Sequence, residues 1–177
     1  MGYQKLLVAF DGSDGSMKAL EHGMNYAKEN SAELTVLSVI KNQKKSEDIP
    51  AQGNPSSTFM AGGNGMYQVA PKGINAQAER MEHVPRMTEE QRQEVINSKG
   101  EEVLREAKNR LKKESVRFET AVMEGDAAEE IDKYALAHEA DLIVIGHRGL
   151  SGLKKLVLGS VSQKVVEKSN CPVLVVK

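Results

Sequence analysis

KLLVAFDGSDGS, residues 5–16, decides how the rest of the chain is read. Its first half, Lys5, Leu6, Leu7, Val8, Ala9 and Phe10, is short, almost wholly apolar and stops abruptly. A strand that is apolar on both faces is one buried on both sides, as in a parallel sheet covered by helices. The second half, Asp11-Gly12-Ser13-Asp14-Gly15-Ser16, is dense in turn and N-cap residues and hands the chain to a helix. Over 16–30, Ala19, Leu20, Gly23, Met24 and Ala27 recur on one helical face. ELTVLSVI at 33–40 is then a second buried strand, so the chain opens as strand, helix, strand.

The C-terminal part repeats this alternation. RFETAVM at 117–123 reads as a half-buried strand, and Glu124-Gly125-Asp126 as a turn with Asp126 as N-cap. A helix over 127–139 is predicted to direct Ile131, Ala135 and Leu136 inward. DLIVI at 141–145 is the most hydrophobic strand, a helix follows over about 160–169, and Asn170-Cys171-Pro172 stops it before a last strand at 173–176. Five strands alternating with helices predict an α/β fold: a doubly wound parallel sheet with helices on both faces, in a single domain over 1–177.

The middle is different. Residues 42–87 hold four of the five prolines and four of the eight methionines, with no periodicity. They are read as a flexible insert in the second crossover. Thr88 and Gln91 then form a possible capping box for a helix over 88–115, with Ile96, Val103, Leu104, Ala107 and Leu111 on one face and Gly100 marking a bend.

Composition narrows the function. The chain has 177 residues, enough for one domain, and its apolar share of 40% against 4% aromatics, with no Trp, demands an aliphatic core. A formal net charge of -1 gives no reason to expect nucleic acid or an anionic membrane as partner. Cys171 is the single cysteine, so neither an intrachain disulfide nor a Cys/His metal cluster is expected. With no long apolar run, the expected location is the cytoplasm.

Open α/β sheets bind ligands at the carboxyl ends of their strands, where the strand order reverses. Gly146-His147-Arg148-Gly149 leaves one such end, and Gly159-Ser160-Val161-Ser162, separated from Gly149 by nine residues, opens the last helix. Glycines admit close backbone approach, and a helix start offers unpaired N–H groups to an anion. Together they read as a phosphate cradle, although the same residues would also serve a plain turn and a helix cap. Asp11, at the end of the first strand, can accept from a ribose hydroxyl or an adenine amino group; capping the first helix is a task for which Ser13, Asp14 and Ser16 compete. The pattern G-x4-G-K-[S/T] does not occur, and G-x-G-x-x-G does not follow the first strand, which excludes a P-loop and a dinucleotide fingerprint.

The spacing Gly146-x2-Gly149-x9-Gly159-Ser160 resembles the ATP-binding signature of the universal stress protein family. The resemblance extends to the first strand with Asp11, to Ser38-Val39-Ile40, to the Gly125 turn and to Asn170-Cys171-Pro172-Val173-Leu174-Val175-Val176, but not to 42–87. It implies an adenine-nucleotide alpha-hydrolase-like sheet of strand order 3-2-1-4-5. It implies that Asp11 holds the adenosine part with Ala9 beside it, where many nucleotide-binding members have Pro. Backbone groups of Val39 would read the adenine edge, and Ile145 and Gly146 would line the ribose. Gly149, Gly159, Ser160, Val161 and Ser162 would grip the phosphates through amides and hydroxyls, with Mg2+ accompanying the triphosphate. Arg148 would pair with a phosphate or stay solvated. A homodimer through residues 172–176 is also implied.

The function that the resemblance implies is that of an ATP-binding stress-response protein, a nucleotide-dependent sensor or regulator rather than an efficient catalyst. The alternatives are a slow ATP hydrolase and an interaction module of the same fold without nucleotide. An adenylyl-transferring enzyme is disfavoured because residues 11–16 do not follow the Ser-Gly-Gly-x-Asp-Ser order of such enzymes. His147 is read as a bystander, since neither a nucleophile nor an orienting carboxylate lies near it in sequence. The insert is expected to fold over the nucleotide or to present a partner surface.

Overall fold

The computed structural model describes residues 2–41, 88–114, 116–149 and 158–177. The predicted insert over 42–87, with His83 inside it, and the loop lysines Lys154 and Lys155 lie outside these residues. The described elements are β1 (Lys5–Ala9), α1 (Asp14–Asn30), β2 (Glu33–Ile40), α2 (Glu89–Leu111), β3 (Phe118–Glu124), α3 (Ala127–Ala137), β4 (Leu142–Gly146), α4 (Ser160–Lys168) and β5 (Val173–Val176). The five strands form one sheet in the order β3-β2-β1-β4-β5, and every pairing is parallel.

The period of two in a strand divides the apolar residues between two cores. Leu6, Val8 and Phe10 join Leu34, Val36 and Val144 against Ala19, Leu20 and Ala27 of α1 and Leu104, Ala107 and Leu111 of α2. Leu7, Ala9, Leu37, Ile143 and Ile145 face Ala128, Ile131 and Ala135 of α3 and Val165 of α4. Each large aliphatic side chain fully buried this way contributes about 1.5–3 kcal/mol. This two-sided burial explains why β1 and β4 read as continuous apolar runs.

Local chemistry sets the element ends. Ser13 is the N-cap of α1, so the helix begins at Asp14, two residues before the predicted start. The capping box of α2 is present: the Thr88 hydroxyl accepts from Gln91 N–H at 3.2 Å, and the Gln91 side chain accepts from Thr88 N–H at 3.0 Å. Asp126 caps α3 as expected, accepting from the N–H groups of Ala128 and Glu129.

Two expectations are corrected. Gly100 does not interrupt the helix: α2 runs unbroken from Glu89 to Leu111, and Gly100 is buried where the helix crosses β3. A Cβ there would lie 2.9 Å from that of Val122 and would overlap both its methyl groups, so the glycine makes room for a side chain of the sheet. Leu136 does not point inward: it is 76% exposed, while Ile131 and Ala135 are buried. Five residues from Ile131 is about 140° around a helix, which takes Leu136 off the buried stripe.

Candidate functional site

β1 leads to β2 on one side of the sheet, and β4 leads to β5 on the other, so the strand order reverses between β1 and β4. The chain parts there at the carboxyl ends and leaves a crevice. Ala9 ends β1 in register with Ile145 of β4. Asp11 follows Ala9, and Gly146 closes β4.

The two loops at this crevice touch. A Cβ on Gly149 would strike Oδ2 of Asp11, so the carboxylate lies against the backbone of the turn after β4. Its other oxygen, Oδ1, accepts from Ser13 N–H at 3.1 Å and from the Ser13 hydroxyl at 2.6 Å. Ser13 Oγ in turn accepts from Ser16 N–H at 3.2 Å. Capping is therefore the work of Ser13, and Asp11 braces it. Between them Gly12 has a φ of 80°, the left-handed turn that glycine adopts without a steric penalty.

The loop after β4 packs directly on the start of α1. A Cβ on Gly15 would collide with the carbonyl oxygen of Arg148, and one on Gly146 would lie 2.5 Å from the carbonyl oxygen of Gly15 and 2.9 Å from Ser16 N. The Ser13 cap satisfies the Ser16 N–H, and the Arg148 carbonyl packs against the first turn of α1 at Gly15. Gly15 was read only as a turn residue and Gly146 as part of the cradle and the ribose wall; their interlock is a long-range contact that no local pattern announces.

α4 is different. Its N-cap is Gly159, and no side chain caps it. Helix geometry leaves the N–H groups of Ser160, Val161 and Ser162 without intrahelical acceptors, at the positive end of the dipole. Ser160 and Val161 are exposed, whereas Ser162 is buried. Two bonds tie this turn to the chain leaving β4. Gly159 N–H donates to the His147 carbonyl at 2.7 Å. The Ser162 hydroxyl donates to the Gly146 carbonyl, also at 2.7 Å.

Val39 stands two residues beyond Leu37, the last β2 residue in register with β1. The Leu37 carbonyl accepts from Phe10 N–H on the β1 side, and the Ile40 carbonyl accepts from Gly125 N–H on the β3 side. Backbone direction alternates along a strand, so the N–H and C=O of Val39 face the side where β1 has already ended. They are presented to the crevice.

His147 belongs to the frame. Its N–H donates to the Val176 carbonyl at 2.7 Å, and its own carbonyl receives Gly159. Its Nδ1 is buried and has no hydrogen-bond partner among the described residues. Arg148 is half-buried in the same loop. Cys171 lies away from the crevice, with Sγ 3.2 Å from the Ala140 carbonyl; burial pushes its thiol pKa up, away from the reactive thiolate. His22 and His138 are exposed, and His138 stacks on Tyr134 with ring centroids 3.9 Å apart. Among the described residues no helix is long and apolar enough to cross a membrane.

Comparison with known proteins gives a consistent result. The sequence profile described as the Universal stress protein family matches residues 2–60 and 70–177. The chain is 37% identical over 175 residues to the universal stress protein YxiE of Bacillus subtilis, covering 99% of both chains. It is 31% identical over 175 residues to a universal stress protein of Methanocaldococcus jannaschii, covering 99% of this chain and 82% of that one. Among solved structures, the universal stress protein UspA of Lactobacillus plantarum superposes with a TM-score of 0.66 at 22% identity, covering 100% and 99% of the two chains. A universal stress protein in complex with cAMP superposes at 0.58 with 22% identity, covering 99% and 98%. One from Archaeoglobus fulgidus in complex with dAMP also superposes at 0.58, with 19% identity and full coverage of both chains. At these identities the structures establish the shared fold.

Proposed function

Because the chain belongs to the universal stress protein family, we propose that it binds an adenine nucleotide, ATP foremost, in the crevice between β1 and β4, and acts as a nucleotide-dependent sensor or regulator. The observation that carries this reading is the first turn of α4, which no side chain caps and which is tied through Gly159 and Ser162 to the β4 exit. The amides of Ser160 and Val161 and the Ser160 hydroxyl take the phosphates. Asp11, lying against Gly149, takes the ribose, and the Val39 backbone takes the adenine edge. Ala9, Ile145 and Gly146 form the wall between them. Arg148, from the same loop, adds positive charge near the phosphates. Fold relatives in complex with cAMP and dAMP support an adenine ligand.

Magnesium would accompany the triphosphate, held by phosphate oxygens and water. Among the described residues no group of three or more His, Cys, Asp or Glu converges as a metal cage, which suits an ion carried by the nucleotide. The crevice is read as one for ligand-gated binding rather than turnover. Native mass spectrometry of the purified protein and calorimetric titration with ATP test the proposal. Co-purified or saturably bound ATP is expected; an empty protein that ATP does not titrate sinks it, and stoichiometric release of phosphate moves the assignment to a hydrolase.

A homodimer through β5 is part of the same proposal. β5 is an outer strand, and Leu174 on it and Val166 on α4 are 43% and 46% exposed. An apolar outer strand invites pairing with its own copy. Light scattering should give twice the chain mass at micromolar concentration; a monomer refutes the dimer.

A further inference from the structure

We infer that the two serines of Gly159-Ser160-Val161-Ser162 divide the work: Ser160 contacts phosphate, whereas Ser162 is a positioning residue that sets the width of the grip by holding the Gly146 carbonyl. This rests on the nucleotide reading given above.

A serine hydroxyl has one proton to donate. That of Ser162 goes to the Gly146 carbonyl at 2.7 Å, and the side chain is buried, with 3% of the residue exposed. An ionised phosphate oxygen accepts and does not donate, so this hydroxyl cannot serve both partners at once. Ser160, by contrast, is exposed at the first residue of α4.

The bond from Ser162 works in parallel with that from Gly159 N–H to the next carbonyl, that of His147, also at 2.7 Å. Two consecutive carbonyls of the β4 exit are thus seized by the N-cap amide and by a side chain one turn into α4. Gly159 fits closely in this clasp: a Cβ on it would lie 3.2 Å from the His147 carbonyl oxygen and 3.6 Å from Ser162 Oγ. The clasp fixes the amides of Ser160 and Val161 relative to Gly149 and Asp11. Loss of the Ser162 hydroxyl leaves the Gly146 carbonyl without this donor and frees one side of the clasp.

The test compares Ser160→Ala, Ser162→Ala and Ser162→Thr by titration with ATP and with adenosine, and by amide hydrogen exchange of the ligand-free proteins. Both alanine variants are expected to bind ATP about tenfold more weakly, the order of one charge-assisted hydrogen bond lost or misaligned, with adenosine affinity within about twofold of the parent. Only Ser162→Ala should also speed exchange of the Gly159 amide while the amides of β1 and β4 stay protected. Ser162→Thr, which keeps the hydroxyl, should restore slow Gly159 exchange and ATP affinity. Wild-type ATP affinity in Ser162→Ala overturns the inference, as does a weaker affinity with unchanged Gly159 exchange, which would make Ser162 a direct contact. Equal losses for ATP and adenosine also overturn it, by marking a general loss of structure. A parent protein that binds neither ligand removes the nucleotide itself, a failure distinct from these.

Discussion

Gly100→Ala sets two effects of known size against each other. Alanine in place of glycine within a helix is worth about 1 kcal/mol in propensity, and α2 around position 100 is regular and continuous. On propensity alone the variant gains stability. The new Cβ, however, would sit 2.9 Å from Cβ of Val122 and overlap both its methyl groups, which belong to a strand of the sheet rather than to a flexible side-chain tip. Forcing a methyl into such a contact costs about 1–3 kcal/mol. The larger effect wins, so Gly100→Ala should lose about 1 kcal/mol net. That lowers the melting temperature by about 2–4 °C for a chain of this size. Val122→Ala removes two methyl groups and costs up to about 1.6 kcal/mol by itself. In that background both methyl overlaps are gone and only the 2.9 Å Cβ–Cβ contact remains, so Gly100→Ala should be about 1 kcal/mol less costly there than in the parent. Urea unfolding followed by far-ultraviolet circular dichroism on the parent, both single variants and the double variant gives the cycle. The same effect of Gly100→Ala in both backgrounds would refute the packing argument.

The interlock of the loops makes Gly146→Ala a severe change, since the added methyl would meet only backbone, 2.5 Å from the Gly15 carbonyl oxygen and 2.9 Å from Ser16 N. A stability loss of at least about 1–3 kcal/mol in urea unfolding, with loss of ATP binding, is expected; an undisturbed variant would mean that the loops do not meet as described. For pH, burial works against ionisation of Asp126, but the N–H groups of Glu129 and Ala128 and the Lys164 ammonium outweigh it and hold the pKa below the usual carboxylate value. A depressed folded pKa contributes stability above the unfolded value that is lost as pH falls through the folded one. Asp126→Asn should therefore flatten the acid limb of a stability curve between about pH 5 and 2, and an unchanged slope would remove Asp126 from it.

Much of the fold was legible because its signals are local. Apolar runs such as KLLVAF and DLIVI carry side chains to both cores, and Thr88, Gln91 and Asp126 announce helix starts through their own side-chain chemistry. Leu136 was misplaced because an apolar residue near the end of a short helix looks like core unless its angle from Ile131 is counted. Gly100 was misread because a glycine that breaks a helix and one that admits a neighbour's side chain look alike until β3 is known to cross α2. At the candidate site the glycine and serine spacing marked two loops that the fold brings together, and Asp11 was placed at the carboxyl end of β1. That Ser162 reaches the Gly146 carbonyl was invisible, since the contact forms across the fold.

The side-chain cap of α1 bears on how this crevice would sort its visitors. Two helices begin beside the same gap, and either would ordinarily attract negative charge; the Ser13 side chain and the Arg148 carbonyl already occupy the berth at α1. For the nucleotide proposed above, the uncapped start of α4 is then the better dock for a charged tail. In the proposed complex the phosphate end lies toward α4 and the base end toward β2, a polarity that follows from which helix start is left uncapped.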